Sequence, residues 1–348
     1  SEGSGIILSH LVAPGSAGLF HRVALHSPPA DIWPRSTNRD RTKFMIERLG
    51  CNRPKISSAL RCMQRKSAGK IWQADWVSST LANIGPSPSF MNNAVNIILY
   101  YAAHGIPDSI AELGWHAVID NETVAGEPRV RIREGRWNKA EMLITTIKNE
   151  SQGIFPSGLQ VVGRAVLNHR LLKEGDFDRA VDLYNQSLEA TGVHAEDEQD
   201  ILRQIITDKM WTCDIRSLAR DFARGGGKVH VGMFWHEPSY DPTSVHVNKN
   251  CEHGAGCHSS DMLYALPQSG HYALRGRDAE FGKMYVESFL SFVSGDKHPW
   301  APYTLQDQPF TFYDLNGTRR VPQYRREQCD VLDGSMGENL PEPMRAGH

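Results

Sequence analysis

What this chain most lacks is a long apolar run. Its best candidate, Ala94 to Ala103, falls short of the about 20 residues that span a bilayer and has Asn96 inside it, so no membrane segment is expected. A surplus of one charge is missing too. Against 38 Lys and Arg stand 40 Asp and Glu, a formal net charge of -2, which favours neither nucleic acid nor an anionic membrane as a partner. There is no internal repeat and no low-complexity tract, which leaves out repeat arrays. Gly225-Gly226-Gly227 has no following Lys-Ser/Thr in phosphate-loop spacing and no preceding strand, so it reads as a helix stop and not as a nucleotide cradle. The chain also opens on Ser1 without an initiating Met or a signal peptide, which predicts a processed or truncated piece of something longer.

What is present is 348 residues, enough to bury a large core, and α/β enzymes of this length are often one domain. The pattern alternates. Helices are predicted at 3–13, 38–49, 90–103, 162–173, 177–190, 197–223 and 277–293. Strands are predicted at 21–27, 141–147, 228–236 and 310–315. In 228–236, Val229, Val231, Met233 and Trp235 alternate onto one side. Strands separated by helices argue for a mostly parallel sheet covered on both faces. From about Asp333 to His348 the chain is Gly-, Pro- and Glu-rich without periodicity, and a flexible tail is expected over 333–348.

The six Cys are an even number, but the residues alone choose neither among pairings nor between paired and reduced states. Cys251, His253, Cys257 and His258 crowd zinc-ligand types together, yet adjacent ligands strain tetrahedral geometry. No metal and no cofactor is expected. N-x-S/T sequons occur at Asn121, Asn149, Asn185 and Asn316.

A nucleophilic Ser in a G-x-S-x-G elbow sits on a sharp turn between a strand and a helix. Ser1-Glu2-Gly3 supplies only the second half of that pattern and alone says nothing. Its continuation is Pro14-Gly15-Ser16-Ala17-Gly18-Leu19-Phe20-His21-Arg22, and then the apolar Val23-Ala24-Leu25-His26-Ser27. In order and spacing, residues 1–28 resemble the elbow, helix, P-G-S-x-G-L-F-x-R turn and strand of the carboxylesterase type B (cholinesterase-like) family. The resemblance extends to about residue 330. It implies an α/β-hydrolase fold with the N-terminal part of the fold missing, residues 1–332 being the C-terminal portion of such a domain.

The resemblance also implies three disulfides. Gly50-Cys51 through Leu60-Arg61-Cys62 looks like the family's short loop, Cys213 and Cys329 like the cholinesterases' long-range bridge, and Cys251 with Cys257 like a small loop directly before a His. Together with the sequons at Asn121, Asn185 and Asn316, these point to a secreted or lumenal glycoprotein. Asn149 is set aside as a glycan site because it adjoins Glu150.

A Ser hydroxyl attacks only when an imidazole takes its proton and a carboxylate orients that imidazole. In α/β-hydrolases the chain order is Ser, acid, His. Lys148-Asn149-Glu150-Ser151-Gln152-Gly153, just past the 141–147 strand, resembles the family's K-D-E-G segment, whose Glu is the triad acid. Asn149 replaces Asp, and Ser151-Gln152 lengthen the approach to Gly153. Cys257-His258-Ser259-Ser260-Asp261 resembles C-H-G-x-E/D, with Ser259 where Gly is usual; His253 lacks that downstream pattern. His298-Pro299-Trp300-Ala301-Pro302-Tyr303-Thr304 resembles a structural W-P-x-Y-T segment. The resemblance thus implies Ser1 as nucleophile, His258 as general base, Glu150 as its partner and the Glu2 backbone N–H as an oxyanion donor. A second donor would come from an upstream Gly-rich loop, and the first half of the sheet, with the strand that holds the elbow, would also lie upstream, so the chain taken literally is expected to be inactive and poorly folded alone.

The expected function of the parent protein is serine carboxylic-ester hydrolysis through an acyl-enzyme, on a small-molecule or lipid ester. The competing expectation is a catalytically silent, neuroligin-like adhesion ectodomain, suggested by the departures at Glu2, Ser151-Gln152 and His26-Ser27-Pro28-Pro29.

Overall fold

Apolar β-rich runs become the centre of the molecule. In the computed structural model, which describes residues 2–28, 33–34, 42–43, 45–75, 117–153, 176–189, 198–239, 256–266 and 274–334, five strands form one sheet. In chain order they are β1 (Arg22–His26), β4 (Glu141–Ile147), β5 (Val229–Phe234), β6 (Phe310–Asp314) and β7 (Gly317–Val321). They lie side by side in the order β1-β4-β5-β6-β7. The first four are parallel; β7 returns antiparallel against β6, with Phe310 opposite Val321. Every residue of β5 and all of β4 beyond Glu141 are buried, because the sheet is covered on both faces. The one-sided alternation predicted for 228–236 therefore misses half of its burial: His230, Gly232 and Phe234 are buried as deeply as Val229, Val231 and Met233.

Helices supply the cover. They are α1 (Glu2–Val12), α4 (Pro128–Arg133), α5 (Asp176–Glu189), α6 (Glu198–Thr207), α7 (Cys213–Arg224), α8 (Met262–Ala265), α9 (Gly276–Ser294) and α10 (Arg326–Gly334). The single helix predicted over 197–223 is interrupted: a π-helical turn, Asp208–Thr212, joins α6 to α7. Helix α7 carries Asp214 and Asp221 into the interior. Both are answered from α4, Arg129 reaching Asp214 at 2.5 Å and Arg133 reaching Asp221 at 2.9 Å. Burial opposes the Arg129 charge, but the two carboxylates outweigh it and raise its pKa. On the other side of the sheet an aromatic cluster of Phe234, Tyr264, Phe281, Tyr285, Phe292, Trp300 and Tyr313 packs with Leu143, Ile147 and Leu263.

These elements belong to one unit, residues 1–30 with 121–348; residues 31–120 form a second. Within the second, β2 (Trp33–Pro34) pairs in parallel with β3 (Val118–Ile119). Helix α2 (Ile56–Gln64) and helix α3 (Ala68–Ala74) flank the Cys51–Cys62 disulfide, over a small core of Leu49, Cys51 and Ala74. The Ser67 side chain caps α3 by accepting from Lys70 N. In the first unit Cys213 is joined to Cys329, tying α7 to α10. Cys257 is also disulfide-bonded. Its expected partner Cys251 lies outside the described residues, as do Ser1, the helices expected at 90–103 and 162–173, and the tail from 335.

Candidate active site

Strand β4 ends at Ile147, and the next turn throws Glu150 back beneath the strand, where it is fully buried. A bare carboxylate there would be costly, and this one is surrounded by donors. Its Oε1 accepts from Ser27 Oγ at 2.5 Å, Thr146 Oγ1 at 2.7 Å and the Ile147 N–H at 2.9 Å. Its Oε2 lies 2.7 Å from His258 Nδ1. An ionised carboxylate can only accept, so Nδ1 carries the proton and the lone pair of neutral His258 sits on Nε2. That is the tautomer a general base requires.

The two loops are locked to each other. The His258 N–H donates to the Glu150 backbone oxygen at 3.2 Å, and Ser260 Oγ accepts from Cys257 N at 2.8 Å. Ser259, standing where the resembled pattern has Gly, adopts φ 75°, the left-handed region that glycine enters without cost. Ser151 is pinned as well: its N–H donates to Thr207 Oγ1 at 3.1 Å and its hydroxyl to the Arg203 carbonyl at 2.6 Å. The added Ser151 therefore anchors the Glu150 turn to the end of α6. The π turn that follows α6 carries Trp211, whose ring lies 5.4 Å from that of His258, tilted by 40°. An extra residue in a helix re-aims the side chains around it, and such turns recur at functional sites.

A second imidazole–carboxylate pair adjoins the first. His26 Nδ1 lies 2.9 Å from Asp261 Oδ2 and 2.9 Å from Thr145 Oγ1. Burial alone would push the Asp261 carboxyl up, but the hydrogen bond and charge of His26 hold it below the usual range. Sequence reasoning passed over His26, Ser27, Thr146 and Trp211 as site residues. The one available signal was that His26-Ser27 lies in a stretch departing from the family pattern.

Glu150 and His258 are thus brought together from positions 108 residues apart. Glu2 is the first residue of α1, so its backbone N–H has no partner within the helix. Asn121 and Asn316 are exposed, and Asn185 is half-buried. Among the described residues no helix is long and apolar enough to cross a membrane.

A parallel sheet with an antiparallel edge, helices on both faces, and an acid and a His following successive strands define an α/β-hydrolase fold. The carboxylesterase family model matches residues 1–332, and the chain belongs to that family. It is 22% identical to an acetylcholinesterase of Bungarus fasciatus over 358 residues, covering 94% of this chain and 53% of that protein. It is 19% identical to a cholinesterase of Mus musculus, with 94% and 53% covered. It is 20% identical to acetylcholinesterase 1 of Caenorhabditis elegans, with 100% and 54% covered. The chain therefore spans about half the length of these curated relatives. A solved PNB esterase superposes with a TM-score of 0.66 at 16% identity, covering 95% of this chain and 62% of the other, a likeness of fold.

Proposed function

We propose that the protein containing this chain is a serine carboxylic-ester hydrolase, with Ser1 as nucleophile, His258 as base and Glu150 as the residue that orients His258. Ser1 Oγ adds to the ester carbonyl while His258 Nε2 takes its proton. The tetrahedral intermediate collapses as the imidazolium gives that proton to the departing alkoxide. Water, deprotonated by the same imidazole, then releases the acid from the acyl-enzyme. The Glu2 N–H is one oxyanion donor in this reading, and each such donor is worth about 2.7–4 kcal/mol in acyl transfer. The substrate is a small-molecule or lipid ester. A secreted or lumenal location is supported by the disulfides and by the exposed sequons at Asn121 and Asn316.

The observation that carries the reading is the fully buried Glu150 carboxylate 2.7 Å from His258 Nδ1. The test is fluorophosphonate labelling of the longest natural chain containing this sequence, with peptide mapping of the adduct. Label on Ser1 that disappears in His258→Ala is the expected result. A soluble, monodisperse protein that takes no label overturns it and leaves the site without an esterase role.

A further inference from the structure

Glu141, His230 and His298 meet at the N-terminal ends of β4 and β5, whereas Glu150 and His258 follow the C-terminal ends of those strands. His230 Nδ1 lies 3.0 Å from the Trp300 backbone oxygen. A carbonyl only accepts, so Nδ1 donates to it and Nε2 is directed at Glu141 Oε1, 3.1 Å away. His298 Nε2 lies 3.8 Å from the same oxygen, and its Nδ1 is buried with no hydrogen-bond partner. The three ligand atoms all lie within 4.8 Å of one another. A tetrahedral zinc ion with bonds of about 2.0–2.1 Å sets its ligands roughly 3.3 Å apart, so only small side-chain shifts separate this cluster from a coordination sphere.

We propose that Glu141 Oε1, His230 Nε2 and His298 Nε2 form a binding site for a divalent ion of the zinc class, with a fourth position open to water. The backbone carbonyl that fixes His230 is the outer support usual for a metal-binding imidazole. Lys228 Nζ, 2.6 Å from Oε1, occupies the carboxylate in competition with the ion. Its side chain is 64% exposed and can swing into solvent. Arg22 holds the other oxygen, Oε2, at 3.3 Å and orients the carboxylate. The ion would tie β4, β5 and the segment leading to Trp300 together at the end of the sheet away from the candidate active site.

Zinc chloride titrated calorimetrically into the chelator-stripped full chain should show one saturable site, with melting raised by bound metal. Affinity should fall at least about tenfold in His298→Ala and rise severalfold in Lys228→Met, which removes the competing cation without touching a ligand. Co²⁺ should give the strong visible absorption of a tetrahedral site in the wild type and lose it in His298→Ala. No saturable zinc binding, equal binding by wild type and His298→Ala, or an affinity unmoved by Lys228→Met overturns the proposal and leaves the three side chains as a hydrogen-bonded cluster.

Discussion

Ser27 Oγ lies 2.5 Å from Glu150 Oε1, a hydrogen bond that joins the ends of two neighbouring strands, β1 and β4. It is one of three donors on that oxygen, so its removal leaves the carboxylate buried but less firmly held. In the protein containing this chain, Ser27→Ala is expected to lower kcat on an activated ester about 10- to 150-fold, as the loss of one hydrogen bond to a charged group costs about 1.5–3 kcal/mol. KM should scarcely move. Glu150→Gln, which cannot stabilise the imidazolium, should cost on the order of 10⁴ in kcat. Steady-state kinetics on the two variants checks the ranking; equal losses would remove Glu150 from the role proposed for it.

The two disulfides with both ends described should differ in worth. Cys213–Cys329 closes a sequence separation of 116 and Cys51–Cys62 one of 11. Loop-closure entropy makes the first worth about 4–5 kcal/mol and the second about 2–3 kcal/mol. Paired Cys→Ala variants unfolded in guanidinium should show the larger midpoint shift for Cys213/Cys329.

Acid sensitivity should begin at His236 and at His298, whose pKa burial also lowers. Burial lowers the His236 pKa below 6.5, opposed by the hydrogen bond to Asp278 and, more weakly, by Asp314, while Arg277 adds to the lowering. The unfolded chain therefore takes up this proton first as pH falls. Stability should be full above about pH 6.5 and decline below it, until the folded form also protonates. Asp278, lowered below 3.8 although burial would raise it, adds a second loss on further acidification. His236→Gln should make the first limb shallower without abolishing it, and should shift the second as well, because His236 is one of the groups that hold Asp278 low. Denaturant midpoints across pH 3 to 8 read both.

Gly225 is fixed by contact and not by its backbone angles. A Cβ there would meet the Ile132 carbonyl oxygen at 2.0 Å. The oxygen is main chain and a Cβ is fixed by its own backbone, so the clash has no flexible end to yield. Gly225→Ala should destabilise by about 3 kcal/mol. Gly226→Ala meets only the Lys139 side chain, at 4.0 Å, and carries the strain of φ 76°, about 1–2 kcal/mol. Thermal melts of the two variants should rank in that order.

Strands β4, β5 and β6 were legible because apolar β-branched and aromatic runs of strand length have little else to do in a helix-rich chain. Glu150 and His258 were legible because each follows such a strand in a recognisable local pattern. The edge strand β7 was not: Gly317–Val321 exposes Thr318, Arg319 and Arg320 in succession, on both of its faces, so it shows no apolar period and its pairing depends on a turn. Helices α2, α3 and α4 escaped because runs of 9, 7 and 6 residues span too few turns for an apolar period to stand out. The donors on Glu150 were hidden because Ser27 and Thr146 are ordinary in sequence and acquire a role only when β1 and β4 lie in register. The cluster of Glu141, His230 and His298 was equally invisible, its members meeting only through the strand pairing and the Trp300 segment.

The π turn at Asp208–Thr212 sets a constraint on chain length. Each residue removed from a helix rotates everything beyond it by about 100°. Deleting one residue from the turn would restore ordinary helical pitch, but it would also swing Cys213 away from Cys329 and Trp211 away from His258. One misplaced residue here would break the Trp211–His258 ring contact and the Cys213–Cys329 crosslink in the same stroke.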